Sequence, residues 1–409
     1  MKVLVLNSGS SSVKYQLIET SLDLIEKNAD HALARGSVER IGTSTAIHTY
    51  LPAGRDKVSE VKEILEHRVA IADILRLLTD PERGVVSGPQ EIRAVGHRMV
   101  HGGEKFARST LITREVAQQI EDCSELAPLH NPHNLRGYQA ALRILPDVPH
   151  AAVFDTAYHQ TMPPRAFLFG LPYVLYQRHG IRRYGFHGTS HRFVGWRSRA
   201  LLGRPREETR LVTCHLGNGA SVCAIDHGRS VDVSMGFTPL DGLLMGTRPG
   251  DLDPGVVFYI MHKEELTEHQ VTTLLNKHSG LYGVSGLSND MRELLAAEAR
   301  GHERAALAVD IFCYRIRKYV AAFAGALGGV DAVIFTGGIG ENAPPIRARA
   351  LAGLEFMGIA LDPAKNEAAV GREADVSADG AKVRTLVIPT NEELLIARDT
   401  VRLVEGAAV

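Results

Sequence analysis

Several residues stand where their chemistry is costly unless it is used. The stretch Gly96-His-Arg98-Met-Val-His101 sets an arginine and two histidines in an apolar strand that ends in glycines, where a charge must be paired or functional. Asp155 closes the strand His150-Ala-Ala-Val-Phe154, and strand ends are where α/β sheets place ligand chemistry. His187-Gly-Thr-Ser-His191 adds a histidine pair, and Leu240-Asp-Gly-Leu-Leu-Met-Gly-Thr-Arg248 a second arginine in a glycine-rich context. Near the C-terminus, Thr385 to Glu393 ends a strand in two carboxylates before a helix, which suits either a helix cap or a hard cation with oxygen ligands such as Mg²⁺. Eleven of the eighteen histidines fall between His97 and His227, and the i, i+4 pair His187/His191 would suit zinc on a helix. No cysteine or carboxylate is placed to complete such a site, so hydrogen-bonded core histidines are the reading of each one taken singly.

Three glycine-rich corners surround these residues. Val3 to Leu6, the turn Asn7-Ser-Gly-Ser-Ser-Ser12 and Val13 to Ile18 read as a hairpin. The pattern returns as Leu211 to Leu216, Gly217-Asn-Gly-Ala-Ser221 and Val222 to Asp226, followed by a turn at His227-Gly-Arg, so the fold is expected to be internally duplicated. A third corner, Gly337-Gly-Ile-Gly-Glu-Asn342, follows the strand Asp331 to Phe335 and precedes a helix starting at Pro344 or Pro345. Small residues let backbone N–H groups approach a ligand closely, and three such corners suggest a polyphosphate. No GxxxxGK[ST] occurs, which excludes a P-loop. Gly338 to Ala343 fits the dinucleotide pattern GxGxxG/A with Asp362 further on, but that reading leaves the other two corners without a role.

Helical stretches are expected over Val61 to Leu78, Arg114 to Cys123 and Glu303 to Leu327, which makes the class α/β. The best candidate boundary lies near Asp155 to Pro164. Cys214 and Cys223 are placed to face each other across neighbouring strands; with four scattered cysteines and no CxxC pair, buried thiols are expected rather than disulfides or structural zinc.

Composition narrows the function classes. The 409 residues carry 46 basic and 47 acidic side chains, a net charge of -1, and no basic run, which argues against nucleic acid as a partner. The most membrane-like stretches, 166–177 and 319–330, are each twelve uncharged residues long, short of the ~20 that span a bilayer. Only four apolar residues separate Lys2 from Asn7, too few for a signal peptide, so a cytoplasmic location is expected.

The chain resembles the acetate kinase family over essentially its whole length. The resemblance rests on Val5 to Lys14, Gly96 to Gly103, Phe154-Asp155-Thr-Ala-Tyr-His159, Gly185 to His191, His215-Leu-Gly-Asn-Gly219, Gly337 to Asn342 and Thr390-Asn-Glu392-Glu393. It implies two duplicated ribonuclease-H-like domains of the kind shared with sugar kinases, heat-shock ATPases and actin, facing each other across an ATP cleft. The implied division is residues 1–157 completed by 389–409, and residues 158–388 for nucleotide binding and homodimerisation.

By that resemblance ATP or ADP would lie against His215, Leu216, Gly217, Asn218 and Gly219, against Asp290, Met291 and Arg292, and against Gly338, Ile339, Gly340, Glu341 and Asn342, with Lys14 nearby. Asn7 and Glu392 would hold Mg²⁺, with Mn²⁺ as an alternative; Glu392 rather than Glu393 is a choice of motif register. Arg98, Asp155, His187 and Arg248 would surround the transferring phosphoryl group. Acetate would sit in an apolar pocket of Val100, Leu129, Phe186 and Pro239, with Arg98 at its polar end. Such a transfer brings two anions together, so positive charge must converge there. A carboxylate acceptor is already ionised at pH 7 and needs no general base, which makes Asp155 an orienting or electrostatic partner, for instance of an arginine, rather than a base. The alternatives are a propionate kinase of the same fold and a non-catalytic ATP-binding switch.

Overall fold

The computed structural model describes the backbone of residues 1–409 and every side chain but that of Arg206. The chain divides into two compact units, Met1–Tyr158 with Asn391–Val409, and His159–Thr390.

The first unit is built on β1 (Lys2–Ser8), β2 (Ser12–Glu19), β3 (His31–Glu39), β4 (Thr43–Pro52), β5 (Val58–Ile64), β6 (Ile92–Met99), β7 (Thr110–Leu111) and β8 (His150–Phe154), in the order β5-β4-β3-β2-β1-β6-β8-β7. The hairpin half is antiparallel, whereas β1, β6 and β8 run parallel. Strand alternation divides β1 between two cores. Leu4 and Leu6 join Ile71, Ile74 and Leu78 of helix His67–Leu78 and Ala141 of helix Asn131–Ile144. Val3 and Val5 join Ala94, Val153 and, from helix Glu392–Val404, Ile396, Ala397 and Val401. The C-terminal helix is therefore part of this unit's core, and its buried Arg398 pairs with buried Asp30.

The second unit repeats the plan. Its sheet, from β9 (Arg210–Leu216), β10 (Ala220–Asp226), β11 (Arg229–Val233), β12 (Ala332–Thr336), β13 (Ala374–Asp375) and β14 (Arg384–Val387), has the order β11-β10-β9-β12-β14-β13. Antiparallel β11-β10-β9 and parallel β9-β12-β14 match β3-β2-β1 and β1-β6-β8. The duplicated hairpins are thus the start of two equivalent α/β units. His227 (φ 50) and Gly228 (φ 78) make the β10–β11 turn, with both φ values positive as a two-residue hairpin loop of type I′ requires.

Three expectations are corrected. Val61–Leu78 is not one helix: β5 ends at Ile64 and the helix spans His67–Leu78. Polar residues hold the inner side of β5, where Lys62 Nζ lies 2.8 Å from Asp73 Oδ1 and Glu60 Oε2 2.6 Å from Arg76 Nη2, while Val61 is exposed; this inverts the apolar signal. Cys214 pairs in register with Val222, so Cys223, the next residue, points to the opposite face of the sheet. Both thiols are buried, and burial pushes both pKa values well above the ordinary thiol range. The third glycine corner is not an open turn but a short helix, Gly337–Asn342, followed by helix Pro344–Leu351 with its proline in the first turn.

Candidate active site

In the first unit the parallel strands bring three polar residues to one sheet end. Leu6 is opposite His97 and Arg98 opposite Val153, so Asn7, Arg98 and Asp155 leave adjacent strands side by side. Arg98 Nε lies 3.1 Å from Asp155 Oδ1 and Nη2 2.5 Å from Oδ2, and Nη1 reaches Asn7 Oδ1 at 3.3 Å. Asp155 is 1% exposed and Arg98 21%. Burial alone would lower the Arg98 pKa, but the carboxylates of Asp155 and then Glu392 outweigh it and hold the guanidinium above its ordinary value.

Glu392 opens the helix Glu392–Val404, capped by Asn391 Oδ1 accepting from the Leu394 N–H at 3.0 Å. That helix lies close on β6 because residue 96 is glycine: a Cβ there would come within 2.6 Å of Thr400 Oγ1 and 2.7 Å of Ile396 Cγ2. Gly96 thus lets residues almost 300 positions apart in sequence share one site. Lys14 is opposite Asn7 on the hairpin and is exposed.

The loop after β6 is held by side-chain amides that sequence reasoning missed. Asn134 Oδ1 accepts from Val100 N–H at 3.1 Å while its Nδ2 donates to Ser8 O at 2.7 Å, joining the ends of β6 and β1. Asn131 makes a two-way pair with the His101 backbone, and Thr156 Oγ1 accepts from Gly102 N–H at 3.0 Å. The sequence signal is Asn131-Pro-His-Asn134 at a helix start, two amides three residues apart. Val100 is buried and Leu129 is 60% exposed, so this unit does not bring them into one closed pocket. His97 and His150 are core groups: His150 Nε2 donates to Leu145 O, which leaves its Nδ1 to accept from His97 Nε2 at 2.9 Å.

In the second unit a cavity of about 610 Å³ is lined by Gly217, Asn218, Asp290, Met291, Arg292, Gly338, Ile339 and Asn342, joining three segments far apart in sequence. Its size suits a nucleotide-sized ligand. Asn289, Leu295, Ala343, Pro344 and Pro345 complete it and were not anticipated. His215, Leu216, Gly219, Gly340 and Glu341 belong to the same segments but do not line it. Glu341 instead accepts from the Gly337 N–H at 2.8 Å and the Thr390 N–H at 3.0 Å, so its carboxylate braces the corner. The Arg292 side chain, bonded to Asp290 by Nε at 3.0 Å and Nη2 at 2.5 Å, lowers the Asp290 pKa to about 2.

Beside this cavity, His187 takes a left-handed conformation (φ 58, ψ 23) at the start of helix Gly188–Leu202. Its ring stacks on His215 with centroids 4.2 Å apart, and Nδ1 lies 2.9 Å from Ser221 Oγ. His159, fully buried, donates from Nε2 to the carbonyl of buried Phe186 at 3.0 Å, fixing the residue before His187. Arg248 Nη1 donates to Pro239 O at 2.7 Å, and a Cβ at Gly219 would lie 2.7 Å from Arg248 Nη2 and 3.4 Å from the His187 ring. No carboxylate among the described residues forms an ion pair with Arg248, and burial lowers its pKa to about 10. A desolvated cation without a counter-charge is a ready anion site. Among the described residues no group of three histidine, cysteine or acidic side chains could hold a metal, so the zinc alternative for His187 and His191 has no structural support.

The comparisons with known proteins agree with one another. A sequence profile of the acetokinase family matches residues 2–398. An acetate kinase of Caldanaerobacter subterraneus subsp. tengcongensis is 52% identical over 407 residues, covering 99% of this chain and 100% of the relative. One from Methanosarcina acetivorans is 52% identical over 405 residues, at 99% and 97% coverage. Among solved structures, Porphyromonas gingivalis acetate kinase has a TM-score of 0.93 at 47% identity, covering 98% of this chain and 99% of that one. A propionate kinase from Francisella tularensis subsp. tularensis has a TM-score of 0.90 at 38% identity, with full coverage of both chains. Two-unit α/β architecture, profile and full-length relatives converge, and the chain belongs to the acetokinase family of kinases.

Proposed function

We propose that this enzyme transfers the γ-phosphoryl group of ATP to acetate, reversibly, giving acetyl phosphate and ADP by direct in-line attack. The observation that carries this reading is Arg248: a desolvated guanidinium with no carboxylate partner, beside His187 and next to a nucleotide-sized cavity. A nucleotide switch needs no such cation, whereas transfer between two anions does.

The second unit would hold ATP along the cavity and present Arg248 and His187 to the transferring group. The first unit would supply Arg98, held in orientation by Asp155, toward the carboxylate and phosphoryl oxygens. With both of its oxygens accepting from Arg98, Asp155 would orient that guanidinium rather than serve as a base, and the acceptor needs none. Asn7 and Glu392 offer only oxygen donors, which fits a hard Mg²⁺ ion, with Mn²⁺ as the alternative. When bound, such an ion would neutralise phosphate oxygens. Lys14 would act nearby as a point charge. The family resemblance assigns the acyl group to Val100, Leu129, Phe186 and Pro239, of which Val100 and Phe186 are buried and Leu129 is exposed. The family resemblance implies a homodimer, and the enzyme would work in the cytoplasm. No helix among the described residues is long and apolar enough to cross a membrane.

A second reading, propionate as the acceptor, is favoured by the close match to a propionate kinase. One methylene is worth only ~1 to 3 kcal/mol in an apolar pocket, so discrimination between the acids will be modest. The test is acyl phosphate formation, trapped as the hydroxamate, from Mg-ATP with acetate, propionate or butyrate, with Arg98→Ala as the control. Acid-dependent product that vanishes in the variant supports the reading, and the ratio among acids names the acceptor. ATP turnover indifferent to every acid sinks it.

A further inference from the structure

Behind His187 lies a chain of side chains closed to solvent. Ser221 Oγ sits 2.9 Å from His187 Nδ1 and 2.8 Å from His191 Nε2, and His191 Nδ1 sits 2.7 Å from Thr213 Oγ1. Ser221, His191 and Thr213 are each 0% exposed, so bulk water does not reach them.

The direction of the three hydrogen bonds follows from counting protons. The Thr213 hydroxyl has one side-chain partner among the described residues, His191, and a buried hydroxyl proton left unused costs about 1 to 3 kcal/mol. Thr213 therefore donates to His191 Nδ1. His191 lies in a site that burial, and then the neighbouring His159 and His215, keep unfavourable to charge, so its ring is neutral with one N–H. That proton must be on Nε2, where it donates to Ser221. Ser221 has one proton left to give, and it goes to His187 Nδ1. The reverse direction would strand the Thr213 proton.

We propose that Thr213, His191 and Ser221 are positioning residues that hold His187 as the neutral tautomer protonated on Nε2. His187 then presents an N–H donor, rather than a lone pair, at its outer edge. A phosphoryl oxygen can only accept, so the opposite tautomer would put two acceptors face to face. The catalytic consequence rests on the placement of His187 at the transferring group proposed above; the tautomer assignment does not.

The experiment has two arms on the full-length enzyme. Long-range ¹H–¹⁵N spectra of protein labelled at histidine, at pH 7 with and without Mg-ADP, report which ring nitrogen of His187 carries the proton; the spectrum of His187→Ala identifies its signals. Kinetics of Ser221→Ala and Ser221→Cys form the second arm. The expected result is the Nε2–H pattern for His187 in the wild type and a mixture of tautomers in Ser221→Ala. The kcat of Ser221→Ala should fall about 10- to 100-fold with both KM values changed less than about twofold, and Ser221→Cys, which keeps a weak donor, should recover part of it. An Nδ1–H or doubly protonated His187 in the wild type overturns the proposal, and this decides it even if Ser221→Ala fails to fold. So does a Ser221→Ala enzyme with unchanged tautomer and kcat. Wild-type turnover in His187→Ala would instead overturn the catalytic placement of His187 and leave the tautomer assignment to the spectra.

Discussion

Arg98 and Asp155 meet through two parallel hydrogen bonds, at 3.1 and 2.5 Å, with the carboxylate 1% exposed and the guanidinium open enough to reach a ligand. The fork leaves Nη1 turned toward Asn7, so one planar group is aimed by its neighbour rather than by its own torsions. In the proposed reaction the pair would be an aiming device, with Asp155 orienting the guanidinium edge that meets the ligand.

This division of labour predicts a specific outcome for Asp155→Asn. The amide keeps one acceptor for Arg98 but loses the charge and the second bond, so kcat should drop roughly 100-fold. The shape of the pH–rate profile between about pH 6 and 9 should stay as in the wild type, because the acceptor carboxylate is ionised throughout. Steady-state kinetics across that range check it; loss of one limb in the variant would make Asp155 a base and refute the aiming role. Arg98→Lys, which cannot form the fork, should lose about 1000-fold or more.

Gly219→Ala tests the arrangement of Arg248 and His187 in the second unit. The added Cβ would meet Arg248 Nη2 at 2.7 Å, the far end of a flexible side chain, and the His187 ring at 3.4 Å. The fold can absorb that contact by moving the guanidinium, so the thermal midpoint should stay within about 2 °C of the wild type. The displaced cation should cost about tenfold or more in kcat. Calorimetry beside kinetics separates the two; a large fall in midpoint would mean that Arg248 is held as part of the core.

Much of this was legible in the sequence, and the reasons differ by residue. The paired hairpins announced the duplicated units because alternation and glycine turns are local signals, and both sheets carry them in equivalent positions. Arg98 and Asp155 drew attention because charge at an apolar strand end is costly, although only parallel pairing of β6 with β8 shows that they meet. What stayed hidden were residues whose meaning is their partner. Asn131, Asn134 and Thr156 read as ordinary polar residues until the loop they brace is seen. Ser221 ends the second glycine corner, yet its role depends on two histidines that a helix brings over the sheet. Glu341 reads as a ligand group because it stands in a glycine motif, whereas in the structure its Oε1 accepts from the backbone N–H groups of Gly337 and Thr390.

Gly137 gives a prediction with an inverted sign. Glycine within a helix ordinarily makes alanine stabilising by about 1 kcal/mol. Here a Cβ would lie 2.1 Å from Ser8 Oγ and 2.4 Å from Ser8 Cβ, because helix Asn131–Ile144 packs against the end of β1. Gly137→Ala should therefore destabilise, by about 1 to 3 kcal/mol as for overpacking, and should disturb the neighbouring Asn7 corner. Denaturant unfolding of Gly137→Ala and of Gly137→Ala/Ser8→Gly checks it. The double variant should recover most of the loss, and a stabilised single variant would show that the helix can simply shift.

Buried histidines predict how the protein fails in acid. His159 is closed to solvent, and burial lowers its pKa to about 4 despite its bond to Phe186 O; His101, also buried, is lowered to about 3 by burial and then by His130. In the unfolded chain both titrate near the ordinary value of about 6.5. Between those limits the unfolded state binds more protons than the folded one, so stability rises with pH there and falls as the pH drops below about 6.5. For His159 alone the loss by pH 4 is on the order of 3 kcal/mol, a large share of a typical folding free energy. Thermal midpoints should thus decline steadily from pH 6.5 downward, before most carboxylates titrate. His159→Gln can still donate to Phe186 O and accept from Ser230 Oγ, so it should start lower at pH 7 yet show a shallower decline. If the variant lost stability with the wild-type slope, the acid sensitivity would have to come from other groups.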